Sequence, residues 1–224
     1  MNAYIFFTSL GISIILSPTY SLLKKHKQST QKAVFLLGLG LVLLVFFSKA
    51  LGALGYYLFA KELNFAPTSI MGLLCFVIFF AKPWALKNKK MGSDLLILWS
   101  YLLPFSQSVG RLGCFFAGCC FIRNPLTLSW PLLEGAGTLL IAAFLFKKRH
   151  ELNPVTAFRI YVFGYLILRF FLEFLRGDFI RGFIGPLSLP QWTSLALFCW
   201  VFLDSLLDKY HNKAHEIRSR RIRK

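Results

Sequence analysis

The chain has 224 residues, 56% of them hydrophobic and 25 of them Phe, with 26 Lys+Arg against 9 Asp+Glu and a formal net charge of +17. A soluble domain this apolar has nowhere to place its side chains, because folding leaves a large share of any chain's area on the surface. A basic balance of this size first suggests nucleic acid, but here the basic residues fall in short clusters between long apolar runs, the charge pattern of membrane topology, so a nucleic-acid partner is set aside.

A run that crosses about 30 Å of hydrocarbon needs roughly 20 residues. In chain order, seven runs are read as spans, the fifth of them short: residues 3–23, 33–60, 65–86, 94–121, 131–146, 157–176 and 186–207. The pattern predicts an all-α polytopic membrane protein, with one seven-helix transmembrane domain over residues 1–208 and a basic tail over 209–224. Met1–Tyr20 lacks a basic n-region and a small-residue cleavage site, so the first run is expected to be a span and not a cleaved signal peptide.

Lys24, Lys25, His26, Lys27 and Lys32 follow the first run. Lys82 stands at the end of the third run and Lys87, Lys89 and Lys90 follow it, Lys147, Lys148 and Arg149 follow the fifth, and the stretch from Lys209 to Lys224 the seventh. The intervening loops carry only Lys61, Arg123 and Arg181, with Arg176 at a span end. The positive-inside rule then places the N-terminus outside and the C-terminus in the cytoplasm. The tail HNKAHEIRSRRIRK has two readings, contact with anionic lipid headgroups or a topological retention charge. The cysteines form no CxxC and all four His fall on the cytoplasmic side, so no metal site and no cofactor are expected.

Charges within spans are costly unless paired or wet, so each is a candidate for function. They are Lys49, Arg111, Glu134, Arg169, Glu173 and Arg176, with Asp178 just past a span end; Asp204 and Asp208 near the cytoplasmic end of the last run read as solvated. In GYLILRFFLEFLRGD, Arg169, Glu173 and Arg176 are spaced four and three apart, which sets them on one helix face. Two cations against one anion suggest an anionic ligand. Arg111 in SVGRLGCFF, Glu134 in SWPLLEGAG and Gln191 in LSLPQWTS lie toward the same outer half of the membrane. A phospholipid phosphate is the natural ligand there, because guanidinium forks match phosphate oxygens bidentately. Gly110 and Gly113 beside Arg111 are expected to allow close backbone approach.

At Gly110-Arg111-Leu112-Gly113-Cys114-Phe115 the sequence resembles the signature of the prolipoprotein diacylglyceryl transferases, Gly-Arg-x-Gly-Asn-Phe followed by x-Asn-Gly-Glu. Gly164 to Arg176 is similar to the family's later Arg, Glu, Arg stretch, Glu134 to the glutamate of its Gln-Leu-Tyr-Glu segment, and Gln191 to a glutamine before its last span. The resemblance covers roughly residues 90–207. It implies an enzyme of the bacterial cytoplasmic (inner) membrane that moves a diacylglyceryl group from phosphatidylglycerol to the thiol of a prolipoprotein, releasing glycerol phosphate. It implies Arg111 and Arg169 as clamps on the departing phosphate; beside it, the residues themselves suggest Glu134 or Glu173 as the catalytic base, Glu173 and Arg176 as groups that orient the site, and Gln191 as a group that binds polar headgroup atoms.

The chain departs from that pattern at several positions. Cys114, Ala117 and Cys119 stand where the family has Asn, Asn and Glu. TSIMGLLCF stands near the place of its His-Gly-Gly motif, and the outer loops are short where the family carries a large periplasmic head. Cys114, Cys119 and Cys120 have three readings: small packing residues, a disulfide staple, or a thiolate nucleophile activated by Arg111. Two functions follow. One is a phospholipid-dependent transferase whose acceptor is a prolipoprotein, a small alcohol or thiol, or a second lipid. The other is a non-enzymatic lipid-binding, scrambling or transport protein.

Overall fold

The computed structural model describes residues 2–60, 87, 89–118, 129–175 and 183–222. The third expected span (65–86) and Cys119, Cys120 and Arg176 lie outside the described residues. The described chain is built of helices α1 (Asn2–Lys25), α2 (Thr30–Ala60), α3 (Lys89–Phe116), α4 (Trp130–Lys148), α5 (Pro154–Leu175) and α6 (Leu189–Ile222). A minimal antiparallel hairpin, β1 (Phe183–Ile184) and β2 (Leu187–Ser188), precedes α6, with Phe183 opposite Ser188 and Ile184 opposite Leu187.

Burial is inverted relative to a soluble protein. Phe35 is 66% exposed and Leu140 71%, while Glu134 is 0% and Arg169 5% exposed. In water that arrangement would expose apolar area and bury charge, both costly; in hydrocarbon it is the economical one. Four of the described helices contain a stretch long and apolar enough to cross a membrane: Ala3–Lys25, Thr30–Phe47, Trp130–Lys148 and Pro154–Leu175. In α3 the apolar run is diluted by Ser100, Ser106, Gln107, Ser108 and Arg111.

The core joins α3, α4, α5 and α6 through Leu96, Leu103, Leu145, Phe158, Tyr161, Tyr165, Leu197 and Val201. A second cluster, Leu23, Ala33, Met91 and Leu95, closes the lysine-bearing end where α1, α2 and α3 meet. Polar bonds lock α1 to α3. The Ser106 hydroxyl donates to the Gly11 carbonyl at 2.7 Å, Trp99 Nε1 donates to Thr19 Oγ1 at 3.1 Å, and His26 Nε2 lies 2.9 Å from Asp94 Oδ2.

Two helix ends differ from expectation. The fourth span does not run on to 121 as one helix: α3 stops at Phe116, and Gly118 takes φ +64, a left-handed stop that glycine adopts without strain. The last span does not start at 186, because Gly185 (φ +64) and Pro186 form the hairpin turn and α6 begins at Leu189. From there α6 continues through residues 208 and 209 to Ile222.

The glycines beside Arg111 behave differently from each other. A Cβ on Gly113 would meet Phe7 Cβ at 3.1 Å and the Tyr4 carbonyl oxygen at 3.3 Å, so Gly113 is where α1 and α3 touch. At Gly110 the space is open: among the described residues nothing lies within 4 Å of where its Cβ would stand. Gly113→Ala should therefore lower stability by about 1–2 kcal/mol through overpacking, whereas Gly110→Ala should be neutral or stabilising by up to about 1 kcal/mol through helix propensity. Thermal unfolding of both variants in one detergent checks the contrast.

Arg159 is a further charge within the expected sixth span, and it pairs with Asp204 and Asp208, which keep side-chain exposures of 35% and 51%. Its Nη2 lies 2.9 Å from Asp204 Oδ2 and also contacts Asp208 Oδ2, joining α5 to α6. The arginine side chain is 14% exposed, so it needs an acceptor, and it has two. Asp204→Asn or Asp208→Asn alone should cost under about 1 kcal/mol, the value of a partly exposed pair. The double variant strips a largely buried cation of both acceptors and should cost about 3 kcal/mol or more. A double-mutant cycle by thermal unfolding reads that non-additivity.

Candidate active site

The site forms at the end of the bundle opposite the lysines, where α3, α4, α5 and the start of α6 meet. Helix α4 begins at Trp130 with Pro131 in its first turn, a position where a missing N–H costs nothing. One turn later it carries Glu134, fully buried. Gly135 follows: a Cβ there would stand 3.4 Å from Arg111 Cβ and 3.5 Å from the Ser108 carbonyl oxygen. Its lack of a side chain is what lets α3 lie against Glu134.

Glu134 is the hub. Its Oε1 accepts from Arg111 Nη2 at 2.8 Å and from the Tyr165 hydroxyl at 2.9 Å. Its Oε2 lies 3.9 Å from Arg169 Nη1. Arg169 Nη1 in turn lies 3.0 Å from Glu173 Oε2, one helical turn along α5. The Trp130 ring takes both guanidiniums, with the Arg111 carbon 5.0 Å and the Arg169 carbon 4.7 Å from its centroid. The indole is itself fixed by Nε1 donating to the Leu172 carbonyl at 2.9 Å. One aromatic face system and one carboxylate thus hold two cations close together in a dry site.

The hairpin and α6 close the far side. The Ser188 hydroxyl donates to Glu173 Oε1 at 3.3 Å, and the Ser188 N–H donates to Gln191 Oε1 at 2.9 Å. Gln191 Nε2 donates to the Phe170 carbonyl at 3.4 Å. Arg111, Glu134, Arg169, Glu173 and Gln191 are therefore brought together from four helices. One turn along α3, Cys114 turns its Sγ to 3.9 Å from Arg111 Nη1.

Arg176, the second cation of the face read on α5, lies outside the described residues. Glu134 lies between both guanidiniums, so the four described charges, Arg111, Arg169, Glu134 and Glu173, balance. Hydrogen bonding is less complete than charge. Among the described residues, the buried Arg169 Nε and Nη1 donate no well-aligned hydrogen bond, and Glu134 Oε2 accepts none. Leaving a buried charged group short of partners costs on the order of 1–3 kcal/mol or more. That cost is recovered if an anion places oxygens against the fork.

Sequence reasoning missed Trp130, Tyr165 and Ser188. Each stands one turn or less from a residue it singled out: Trp130 four before Glu134, Tyr165 four before Arg169, Ser188 three before Gln191. Helical spacing from the charges was the signal available. Beside the site, an apolar groove of about 190 Å³ runs between α5 and α6, lined by Leu166, Ile167, Phe170, Phe171, Leu195 and Phe198 with Ser194.

An inverted helical bundle with a buried cluster of two arginines and two glutamates defines a membrane protein with a polar intramembrane site. The sequence pattern of the prolipoprotein diacylglyceryl transferases matches residues 2–203, and the chain belongs to that family. It is 32% identical over 129 residues to the phosphatidylglycerol–prolipoprotein diacylglyceryl transferase of Clostridium tetani, a match covering 48% of this chain and 51% of that protein. It is 32% identical over 132 residues to a second enzyme of that name from Clostridium perfringens, covering 50% of each. A relative of the same name from Bifidobacterium adolescentis is 25% identical over 182 residues, 79% of this chain and 45% of that protein. The chain spans about half the length of the curated relatives it matches. No solved structure matches it.

Proposed function

We propose that the protein is a phospholipid-dependent transferase that moves the diacylglyceryl group of phosphatidylglycerol onto a thiol, that of a prolipoprotein cysteine in the first instance. Arg169 carries the reading: a guanidinium 5% exposed, with two buried N–H-bearing nitrogens outside good hydrogen-bond geometry, is a receptor for phosphate oxygens. The family membership and the names of the relatives agree with it.

The chemistry follows from the charges. The acceptor sulfur attacks the diacylglyceryl carbon attached to the phosphate oxygen. A C–S bond forms, the C–O bond breaks, and the electron pair leaves with glycerol phosphate. The thiol proton goes to Glu134, whose Oε2 accepts no hydrogen bond among the described residues. Protonating Glu134 also removes the carboxylate that neutralises both arginines, so positive potential rises at Arg111 and Arg169 as negative charge arrives on the phosphate. Fixed cations in a water-poor site stabilise such charge without reorganisation. Glu173, held by Ser188, keeps Arg169 oriented, Arg176 adds a further cation to the sequence, and Gln191 ties the start of α6 to α5. The apolar groove between α5 and α6 suits an acyl chain of the donor.

In this reading the chain crosses the bacterial inner membrane seven times, N-terminus outside and C-terminus in the cytoplasm. The site then faces the outer half of the bilayer, where a secreted acceptor arrives. The test is purified protein in vesicles of phosphatidylglycerol with a lipobox peptide. The expected result is release of glycerol phosphate in step with the peptide's gain of a diacylglyceryl mass. Lipid binding with no covalent change under any acceptor would replace this function with the lipid-binding or scrambling one.

A further inference from the structure

Trp130 touches both arginines of the cluster, and the proposed chemistry gives it no role. It is 0% exposed and stands at the start of α4. The guanidinium carbon of Arg111 lies 5.0 Å from its ring centroid, and that of Arg169 4.7 Å. Its Nε1 donates to the Leu172 carbonyl in the last turn of α5 at 2.9 Å, which fixes the ring. Two like charges gathered around one ring and one carboxylate repel each other, and a dry site strengthens the repulsion. Glu134 offsets it while ionised, with Oε1 2.8 Å from Arg111 Nη2 and Oε2 3.9 Å from Arg169 Nη1.

We infer that Trp130 is a positioning residue that keeps the two guanidiniums together through the step in which Glu134 is protonated. The inference rests on the phosphate site and the proton acceptor proposed above. Two observations carry it. The first is how the ring holds a cation. A carboxylate does so by accepting N–H groups, and its charge repels an incoming phosphate. An indole face attracts a cation through its quadrupole, carries no net charge and does not compete with phosphate oxygens. Arg169 fits that description: it lies against the ring, yet its buried Nε and Nη1 donate no well-aligned hydrogen bond among the described residues.

The second is persistence. Once Glu134 takes the thiol proton, it no longer neutralises either arginine. The indole reaches both of them and does not titrate, so its attraction is the same before and after the transfer. It therefore matters least in the ground state, where the carboxylate shares the task, and most when charge develops on the phosphate. A positioning group of that kind acts on turnover more than on binding.

Trp130→Leu is a poor probe, because it also removes the Nε1 bond that ties α4 to α5. Mono-, di- and trifluorotryptophan, introduced at position 130 alone, keep the shape and the N–H and strip negative charge from the ring face step by step. Methyltryptophan adds bulk and leaves the face intact. The series is made in the full chain, as wild type and as Glu134→Gln, in phosphatidylcholine vesicles containing phosphatidylglycerol. In wild type, single-turnover release of glycerol phosphate should fall with each fluorine, about tenfold in all, while the Kd for phosphatidylglycerol changes less than about twofold. In Glu134→Gln, where the side chain is always neutral, the loss should move into binding, and Kd should rise about tenfold across the series. The unfolding temperature should not follow fluorine number. A Kd in Glu134→Gln that ignores fluorine, or an equal loss with methyltryptophan, would overturn the assignment. So would a wild-type loss confined to binding, since the ring would then act in the ground state. If wild type binds the lipid and transfers it to no acceptor, the transferase reading fails, while the binding series in Glu134→Gln still decides the role of Trp130.

Discussion

Glu134→Gln should lower turnover by about 10²–10⁴-fold, the range that general-base groups contribute, while phosphatidylglycerol binding is retained or tightened. Gln keeps the shape of Glu134 and an oxygen that can still accept from Arg111 and Tyr165, the two donors now at 2.8 and 2.9 Å. The bundle should therefore remain folded. Two things are lost at once. No group at this position can take the thiol proton, and the charge on the guanidiniums no longer rises in step with the reaction. The ground state moves the other way, since a neutral side chain no longer competes with phosphate for the two cations. Single-turnover release of glycerol phosphate, set beside lipid affinity, separates the two effects. Turnover within a few-fold of wild type would show that Glu134 is not the proton acceptor. Glu134→Ala is a poorer probe, because it leaves two buried arginines facing a cavity and should cost about 3–5 kcal/mol of stability.

Arg169→Lys should cost about 10²–10³-fold in kcat/KM, comparable to removing one fixed donor from a site that stabilises developing negative charge. Lysine keeps the charge but loses the planar fork. Arg169 holds Glu173 at 3.0 Å, sits 4.7 Å over Trp130, and still has Nε and Nη1 to offer. A single ammonium on a shorter stem can keep the ion pair but cannot at the same time present two N–H groups to a phosphate. The defect should fall on kcat more than on KM if the fork acts on the departing phosphate. Equal loss in binding and turnover would place its action in the ground state, and wild-type turnover would show that a point charge suffices. The unfolding temperature should change little, since the pair with Glu173 survives.

Much of this site was legible in the sequence because charge inside an apolar run has few explanations. Arg111, Glu134, Arg169 and Glu173 announced themselves by cost, and their spacing placed them on converging helix ends. What was not legible was how they pair. Counting α5 alone did not show that Glu134 reaches across from α4 to lie between Arg111 and Arg169. Such cross-helix pairing depends on the depth and rotation of each helix, which no periodicity reports. Trp130 escaped notice because an aromatic residue in a chain with 25 Phe looks like lipid-facing bulk. Only its placement under two guanidiniums sets it apart. Arg159 was overlooked near the start of its run, and with it the role of Asp204 and Asp208. Helix ends shifted where glycine geometry, at Gly118 and Gly185, overrode continuing hydrophobicity. Gly110 and Gly113 read alike in sequence, and the neighbour that distinguishes them is α1, about a hundred residues earlier in the chain.

The pairing of Arg111 with Glu134 also bears on how the chain is made. Glu134 follows Arg111 by 23 residues. At a synthesis rate of about 5–20 residues per second, seconds pass in which α3 exists before its carboxylate has been translated. An arginine in a lone helix opposes partitioning from the translocon by about 2.5–3.5 kcal/mol. At Arg169, helix α5 has no such difficulty, since Glu173 emerges one turn behind it. Integration should therefore be asymmetric: α5 can enter the bilayer with its own counter-charge, whereas α3 waits at the translocon and enters together with α4.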